Sequence, residues 1–171
     1  MKIKDRVEFK SKPPVLSFAA TDKVIDAVRA MSEKNYGASV VVDPDNRPVG
    51  IVTERDFMRR LLAKGLDANT TPLSDIMTRD LKLASTEDTV VDWLRIMSNE
   101  RFRHLPVIDD QGKLINLMSQ GDFVSYTWPQ LLNRAKETLT KSFMERFHLH
   151  LILAGVMIYS ILVLMIVMNA Q

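Results

Sequence analysis

Residues 15–57 align with residues 81–123, without a gap, when the chain is shifted against itself by 66 positions. Ten positions match identically: Asp22/Asp88, Val24/Val90, Asp26/Asp92, Arg29/Arg95, Met31/Met97, Ser32/Ser98, Val41/Val107, Asp43/Asp109, Asp56/Asp122 and Phe57/Phe123. Conservative pairs such as Ile25/Val91, Val42/Ile108, Val49/Ile115, Ile51/Leu117 and Thr53/Ser119 fill the intervals. A unit of about 50 residues is too small to bury a comfortable core alone, so two copies must pack against each other.

Each copy reads in the same order. A short extended segment (Val15–Phe18, Leu81–Ala84) leads to a threonine helix start (Thr21, Thr86), with acidic residues in the first turn where the helix dipole favours them. Apolar residues then recur at helical spacing, as Val24, Ala27, Val28 and Met31 and as Val90, Trp93, Leu94 and Met97, which predicts one buried helix face. Two strands follow around a tight turn, Ala38–Val42 to Val49–Val52 over Pro44-Asp45-Asn46, and Leu105–Ile108 to Leu114–Met118 over Asp110-Gln111-Gly112. A second helix is expected from Glu54 and from Gln120. The fold class is therefore α/β (α+β): tandem β-α-β-β-α repeats, spanning residues 13–64 and 77–128, form one pseudo-two-fold module. Residues 65–76, with Gly65, Thr70, Thr71 and Pro72, are expected to link them.

The chain has 171 residues and no cysteine, which excludes disulfides, thiolate metal sites and cysteine nucleophiles. Its net charge of +2 offers no bulk case for nucleic-acid binding. The charge is uneven. The segment 1–12 carries five basic and two acidic side chains, whereas residues 13–128 carry 14 basic and 17 acidic.

Gly50-Ile51-Val52-Thr53-Glu54-Arg55-Asp56 is echoed by Asn116-Leu117-Met118-Ser119-Gln120-Gly121-Asp122. In both, a hydroxyl closes a strand and a carboxylate follows three residues later. Such a carboxylate can accept two hydrogen bonds from a vicinal diol, and a hydroxyl at a helix N-terminus suits a phosphate. Helix capping explains the same residues, although the duplication at matching positions favours a binding role. Arg101-Phe102-Arg103-His104-Leu105-Pro106-Val107 corresponds to Asn35-Tyr36-Gly37-Ala38-Ser39-Val40-Val41, so its basic groups lack counterparts. They either neutralise phosphates or form a solvated patch pairing with Asp109 and Asp110.

These residues resemble the CBS-domain family, named after cystathionine β-synthase, and its tandem arrangement, the Bateman module. The resemblance covers about residues 13–128 and is carried by GIVTERD, RHLPV, the lead-in Ser74-Asp75-Ile76-Met77-Thr78 and the repeat. It implies two clefts for AMP, ADP, ATP or a related adenosyl ligand, and assembly into a homodimer. By that resemblance Asp56 and Asp122 hold ribose hydroxyls, and Thr53 and Ser119 contact ribose or phosphate. The backbone around Ala38–Val40 and Leu105–Val107, hence Ala38, Val40 and Pro106, flanks adenine, while Arg103 and His104 face phosphates. Asn116 in place of Gly50 departs from the pattern, because its Cβ narrows backbone approach.

Leu151 to Met168 is 18 residues without a charge, about 27 Å as a helix. That length reads as a transmembrane helix within residues 149–169. Arg134, Lys136, Lys141 and Arg146 precede it, which orients the N-terminal module to the cytoplasm. The charged start MKIKDRVEFK lacks the apolar segment of a signal peptide. Between module and span, residues 129–148 form an amphipathic connector helix opened by Pro129, with Leu131, Leu132, Ala135, Leu139, Phe143 and Phe147 as its stripe. His148 and His150 are two apart and face different directions, a poor metal pair.

No catalytic or metal site is expected, and no cofactor beyond a regulatory nucleotide. The sequence reads as a membrane-tethered sensor of adenine nucleotides, not an enzyme, acting on a membrane protein partner. The competing reading is a structural dimerisation module with vestigial pockets.

Overall fold

The computed structural model describes residues 1–124, together with 155–158, 162 and 165. The connector helix expected over 129–148, and all but those few positions of the span expected over 149–169, lie outside the described residues. Among the described residues no helix is long and apolar enough to cross a membrane. Residues 1–124 form one compact unit.

The elements of the first repeat are β1 (Ser17–Ala19), α2 (Val24–Lys34), β2 (Ala38–Val42), β3 (Pro48–Thr53) and a short α3 (Glu54–Asp56); α1 (Val7–Ser11) precedes them. Those of the second are β4 (Ala84–Ser85), α4 (Val90–Glu100), β5 (His104–Ile108) and β6 (Leu114–Ser119), with helical residues 120–124 after them. Each repeat makes its own three-stranded sheet, in the orders β1-β2-β3 and β4-β5-β6. The first pair of strands in each is parallel and the second antiparallel.

The helix faces are those the spacing predicts. Val24, Ala27 and Met31 in α2 and Val90 and Met97 in α4 are buried. Both helices end in a left-handed residue at corresponding positions, Asn35 (φ 54°) and Arg101 (φ 58°). The hairpin turns also match. Asp43 Oδ1 accepts from the amides of Asp45 and Arg47, and Asp109 Oδ1 from those of Gln111 and Lys113. The two turns then bind each other, because the Leu114 amide donates to Asn46 O and Asn46 Nδ2 donates to Leu114 O.

The helix starts differ from expectation. Helix α2 opens after Lys23 and α4 after Thr89, whose hydroxyl accepts from the Asp92 amide, rather than after Thr21 and Thr86. The cause lies in Asp22 and Asp88. Their carboxylates accept the amides of Ala19 and Ser85, which closes a turn and delays the helix.

The stretch 65–76 is more than a link. Leu73 and Ile76 are fully buried, in a cluster with Val24, Ala27, Val41 and Val52. The amides of Val24, Leu73 and Ser74 donate to Thr71 O, Asp22 O and Ala20 O, so this segment satisfies the start of α2. The chain's first residues do the same for the second repeat. There the amides of Val90, Ile3 and Lys4 donate to Met1 O, Asp88 O and Thr86 O, and Ile3 is fully buried. Each repeat is thus completed by the segment that precedes the other one.

The repeat-one hairpin requires Gly50. A Cβ there would run into Met77 Sδ and Cγ, so glycine lets Met77 lie against β3 in its present conformation. Its counterpart Asn116 is tolerated because its own neighbour differs: Asn116 Nδ2 donates to Phe9 O at 2.8 Å.

Candidate functional site

Two clefts lie where one repeat's strand-to-helix corner meets the helix-to-strand loop of the other. In the first, of about 410 Å³, Thr53, Glu54, Arg55 and Asp56 face Arg101, Phe102, Arg103 and His104. In the second, of about 290 Å³, Asn116, Leu117 and Ser119 face Asn35, Tyr36, Gly37 and Ala38. Volumes near these suit a small ligand.

At the first corner, Thr53 caps α3 and Asp56 answers it. Asp56 Oδ2 accepts from the Thr53 amide at 3.0 Å and from its hydroxyl at 2.6 Å, and the Asp56 amide donates weakly to Thr53 Oγ1 at 3.4 Å. Capping and ligand binding therefore do not exclude each other: the cap employs Oδ2, whereas Oδ1 has Arg60 Nη1 at 3.5 Å. Arg60 is itself anchored, donating to Ile76 O and Thr78 Oγ1. A single π turn over Phe57–Leu61 follows α3 and carries Arg59 and Arg60 at the cleft.

The second corner repeats the cap, with Asp122 Oδ2 accepting from the Ser119 amide at 2.6 Å and hydroxyl at 2.8 Å. Here a third donor arrives. Lys12 Nζ donates to the same Oδ2 and, at 2.8 Å, to Leu117 O. Burial opposes ionisation of Asp122, but the hydrogen bonds from Lys12 and Ser119 outweigh it and hold the carboxyl below its ordinary value.

The two clefts differ sharply in charge. Arg55, Arg101 and Arg103 of the first correspond to Gly121, Asn35 and Gly37 of the second, by the 66-residue shift. The side chains of Arg55, Arg59, Arg101 and Arg103 have no ion pair or hydrogen-bond partner among the described residues. Arg101 also holds the left-handed conformation at the end of α4, unusual for a bulky side chain. Such cations carry the charge needed to neutralise a polyanion.

The residues singled out from sequence are distributed over both clefts. Thr53, Asp56, Arg103 and His104 share the first, and Ala38 and Ser119 line the second. His104 borders both. Pro106 borders a third hollow of about 220 Å³ with Ile51, Thr78, Phe102 and His104, the last four of which also line the first cleft. Val40 and Asp122 border none of these cavities: Val40 is fully buried in β2, its amide donating to Leu16 O, and Asp122 is held behind Ser119 and Lys12. The sequence reading named Arg101 with Arg103 but missed Arg59 and Arg60, although the run of arginines through 55, 59 and 60 at helical spacing signals one basic face. It also missed Lys12.

Burial pushes the His104 imidazole below its ordinary value; Lys12 adds to this, Glu54 opposes it, and Arg103 and Asp122 act more weakly in opposite senses. The folded protein therefore favours the uncharged ring. The unfolded chain binds the proton first, so the stability this burial contributes is present above about pH 6.5 and is lost as pH falls through the depressed folded value. Urea unfolding at pH 7.5 and 5.5 is expected to show a larger acid loss for the native chain than for His104→Gln. An equal loss in both would contradict it.

With this geometry described, comparison with known proteins is informative. The family profile described as "CBS domain" matches twice, at residues 7–63 and 73–128. The chain belongs to the CBS-domain family. CBS-domain pairs are generally regulatory rather than catalytic. A mitochondrial CBS domain-containing protein of Arabidopsis thaliana is 41% identical over 107 residues, covering 60% of this chain and 52% of that one. An uncharacterised 17.7 kDa protein of Acidianus ambivalens is 40% identical over 99 residues, 58% of each chain. This chain thus spans a little over half the length of those relatives. Among solved structures, a protein with CBS domains from Burkholderia ambifaria is 34% identical, with a TM-score of 0.68 over 74% of this chain and 93% of that one. A CBS domain protein of Pyrobaculum aerophilum complexed with AMP shares the fold, with a TM-score of 0.63 at 24% identity over 71% of this chain and 89% of that one.

Proposed function

We propose that this CBS-domain pair binds a phosphorylated adenine nucleotide in the cleft at Asp56 and passes its occupancy to a partner protein. The observation that carries the proposal is the juxtaposition of Asp56 Oδ1 with the guanidiniums of Arg55, Arg59, Arg101 and Arg103, unpaired among the described residues, around one cavity. In this reading the carboxylate accepts the two ribose hydroxyls, the arginines neutralise the phosphates, and His104 faces the phosphates as a hydrogen-bonding group. Pro106, Ile51 and Phe102 supply an apolar wall for the base. The AMP complex of the Pyrobaculum aerophilum protein, which shares the fold, supports the same class of ligand.

The apolar stretch Leu151–Met168 tethers the module to a membrane in this proposal, with the module on the cytoplasmic side and the partner in the same membrane. Homodimerisation is part of the same proposal. A ligand transmits a signal only through different affinities for two shapes of the module, and the cleft is assembled from both repeats, so closing it on a nucleotide couples them. The competing reading, an interaction module with vestigial pockets, draws support from the occupation of Asp122 by Lys12.

Calorimetry of the full-length chain in detergent with AMP, ATP and NADH is the test. Binding is expected to strengthen from AMP to ATP as phosphate charge increases, and to weaken with added salt. Absence of heat from every nucleotide at millimolar concentration, with the protein folded, would favour the interaction module.

A further inference from the structure

We propose that Lys12 is an internal ligand of the second cleft, which closes Asp122 to a sugar diol and leaves the chain with one nucleotide site, at Asp56. The proposal rests on the reading of the first cleft given above. Lys12 stands 66 positions before Thr78, and the two reach equivalent strand oxygens, Leu117 O and Ile51 O. In the first repeat Thr78 meets the strand through its backbone, its amide donating to Ile51 O and the Ile51 amide donating to Thr78 O. In the second, the lysine reaches the corresponding Leu117 O with its ammonium and goes on to the carboxylate. The threonine instead holds Arg60, which stands 3.5 Å from Asp56 Oδ1, whereas the lysine bonds Asp122 Oδ2 directly.

The lock is held in place over its length. Lys12 and Asp122 are both largely shielded, with side chains 27% and 17% exposed. Phe9 O accepts from Asn116 Nδ2, and the almost fully buried Arg6 donates through Nη2 to Asp122 O at 2.8 Å. Asp122 Oδ2 already accepts from an ammonium, an amide and a hydroxyl, and the Lys12 side chain lines the cavity from which a diol would approach. Phosphates would gain little there, since the arginines of the first cleft are Gly121, Asn35 and Gly37 in the second.

The second cleft nevertheless keeps what a base and sugar need. Asn116 is almost fully buried, its Oδ1 lacks a hydrogen-bond partner among the described residues, and it borders the 290 Å³ cavity. Pro13, Pro14, Val15, Leu16 and Tyr36 form the apolar wall of that cavity. Removal of the lysine is therefore expected to open a site for an uncharged nucleoside.

The test titrates the full-length chain in detergent with ATP and with adenosine. The native chain is expected to bind one ATP, and Lys12→Met to bind adenosine about tenfold or more tightly than the native chain does, the fold-change matching loss of one charge-assisted hydrogen bond. Lys12→Arg, which keeps the charge, is expected to retain the native behaviour. Two ATP per native chain would overturn the proposal. So would unchanged adenosine binding by a Lys12→Met variant that melts like the native protein. If the native chain binds no ATP but Lys12→Met gains adenosine binding, the lock stands and the reading of the first cleft fails. If neither binding is seen, both fall.

Discussion

Asp56→Asn is expected to lower nucleotide affinity by about 100-fold or more while leaving the melting temperature close to that of the native chain. The asparagine carbonyl can still accept from the Thr53 amide and hydroxyl, which now converge on Asp56 Oδ2. The cap therefore survives. What is lost is the second carboxylate oxygen, because an amide NH₂ cannot accept from a ribose hydroxyl. Hydrogen bonds to a charged group contribute about 1.5–3 kcal/mol each, so two of them account for at least two orders of magnitude. Asp56→Ala separates the roles differently. It removes the cap partner as well, and is expected to cost about 1–2 kcal/mol of stability in addition to binding. Isothermal titration and thermal unfolding of both variants measure the two effects independently. Native affinity in Asp56→Asn would show that the carboxylate serves only the helix start.

Ile3→Ala and Leu73→Ala are each expected to cost about 2–5 kcal/mol, the range for truncating a fully buried aliphatic side chain. Against a total stability of about 5–15 kcal/mol, either loss is large. The two positions are equivalent, since Leu73 donates its amide to Asp22 O and Ile3 to Asp88 O. Each is thus the plug of a helix start that belongs to the other repeat. Urea unfolding gives the values directly. If residues 1–12 and 65–76 were only a tail and a connector, both changes would fall within about 0.5 kcal/mol of zero.

That exchange explains what the sequence could and could not disclose. The hairpins and helix faces were legible because both depend on periodicity, and Val24, Ala27 and Met31 are buried as their spacing requires. The corner residues were legible because they are duplicated: Thr53 with Asp56 and Ser119 with Asp122 make the same cap. The completing segments escaped notice because they correspond at an offset of 70, Ile3 to Leu73, and not at the 66 that aligns the repeats. A gapless shift cannot detect both. The helix starts were misplaced because Thr21-Asp22 and Asp88-Thr89 contain two candidate caps close together. Only the folded backbone shows that Asp22 and Asp88 bond backward to Ala19 and Ser85.

The asymmetry of the clefts was half legible. The absence of counterparts to Arg103 and His104 was visible in the alignment, and both residues line the first cleft. Lys12 was visible only as part of a basic N-terminal segment. A lysine side chain spans several bonds, and its end point is decided by which carboxylate lies within reach, a fact of tertiary structure. The Gly50 to Asn116 difference carried a related message. Asn116 follows from the way residues 7–12 pass over the second repeat, where its amide holds Phe9 O.

The most direct measurement is a crystal structure of the full-length chain grown with ATP. The account predicts one nucleotide per chain, its ribose hydroxyls on Asp56 Oδ1 and its phosphates among Arg55, Arg59, Arg101 and Arg103, with Lys12 still on Asp122. A nucleotide at Asp122 with the Asp56 cleft empty, or neither cleft occupied at saturating ATP, would contradict it.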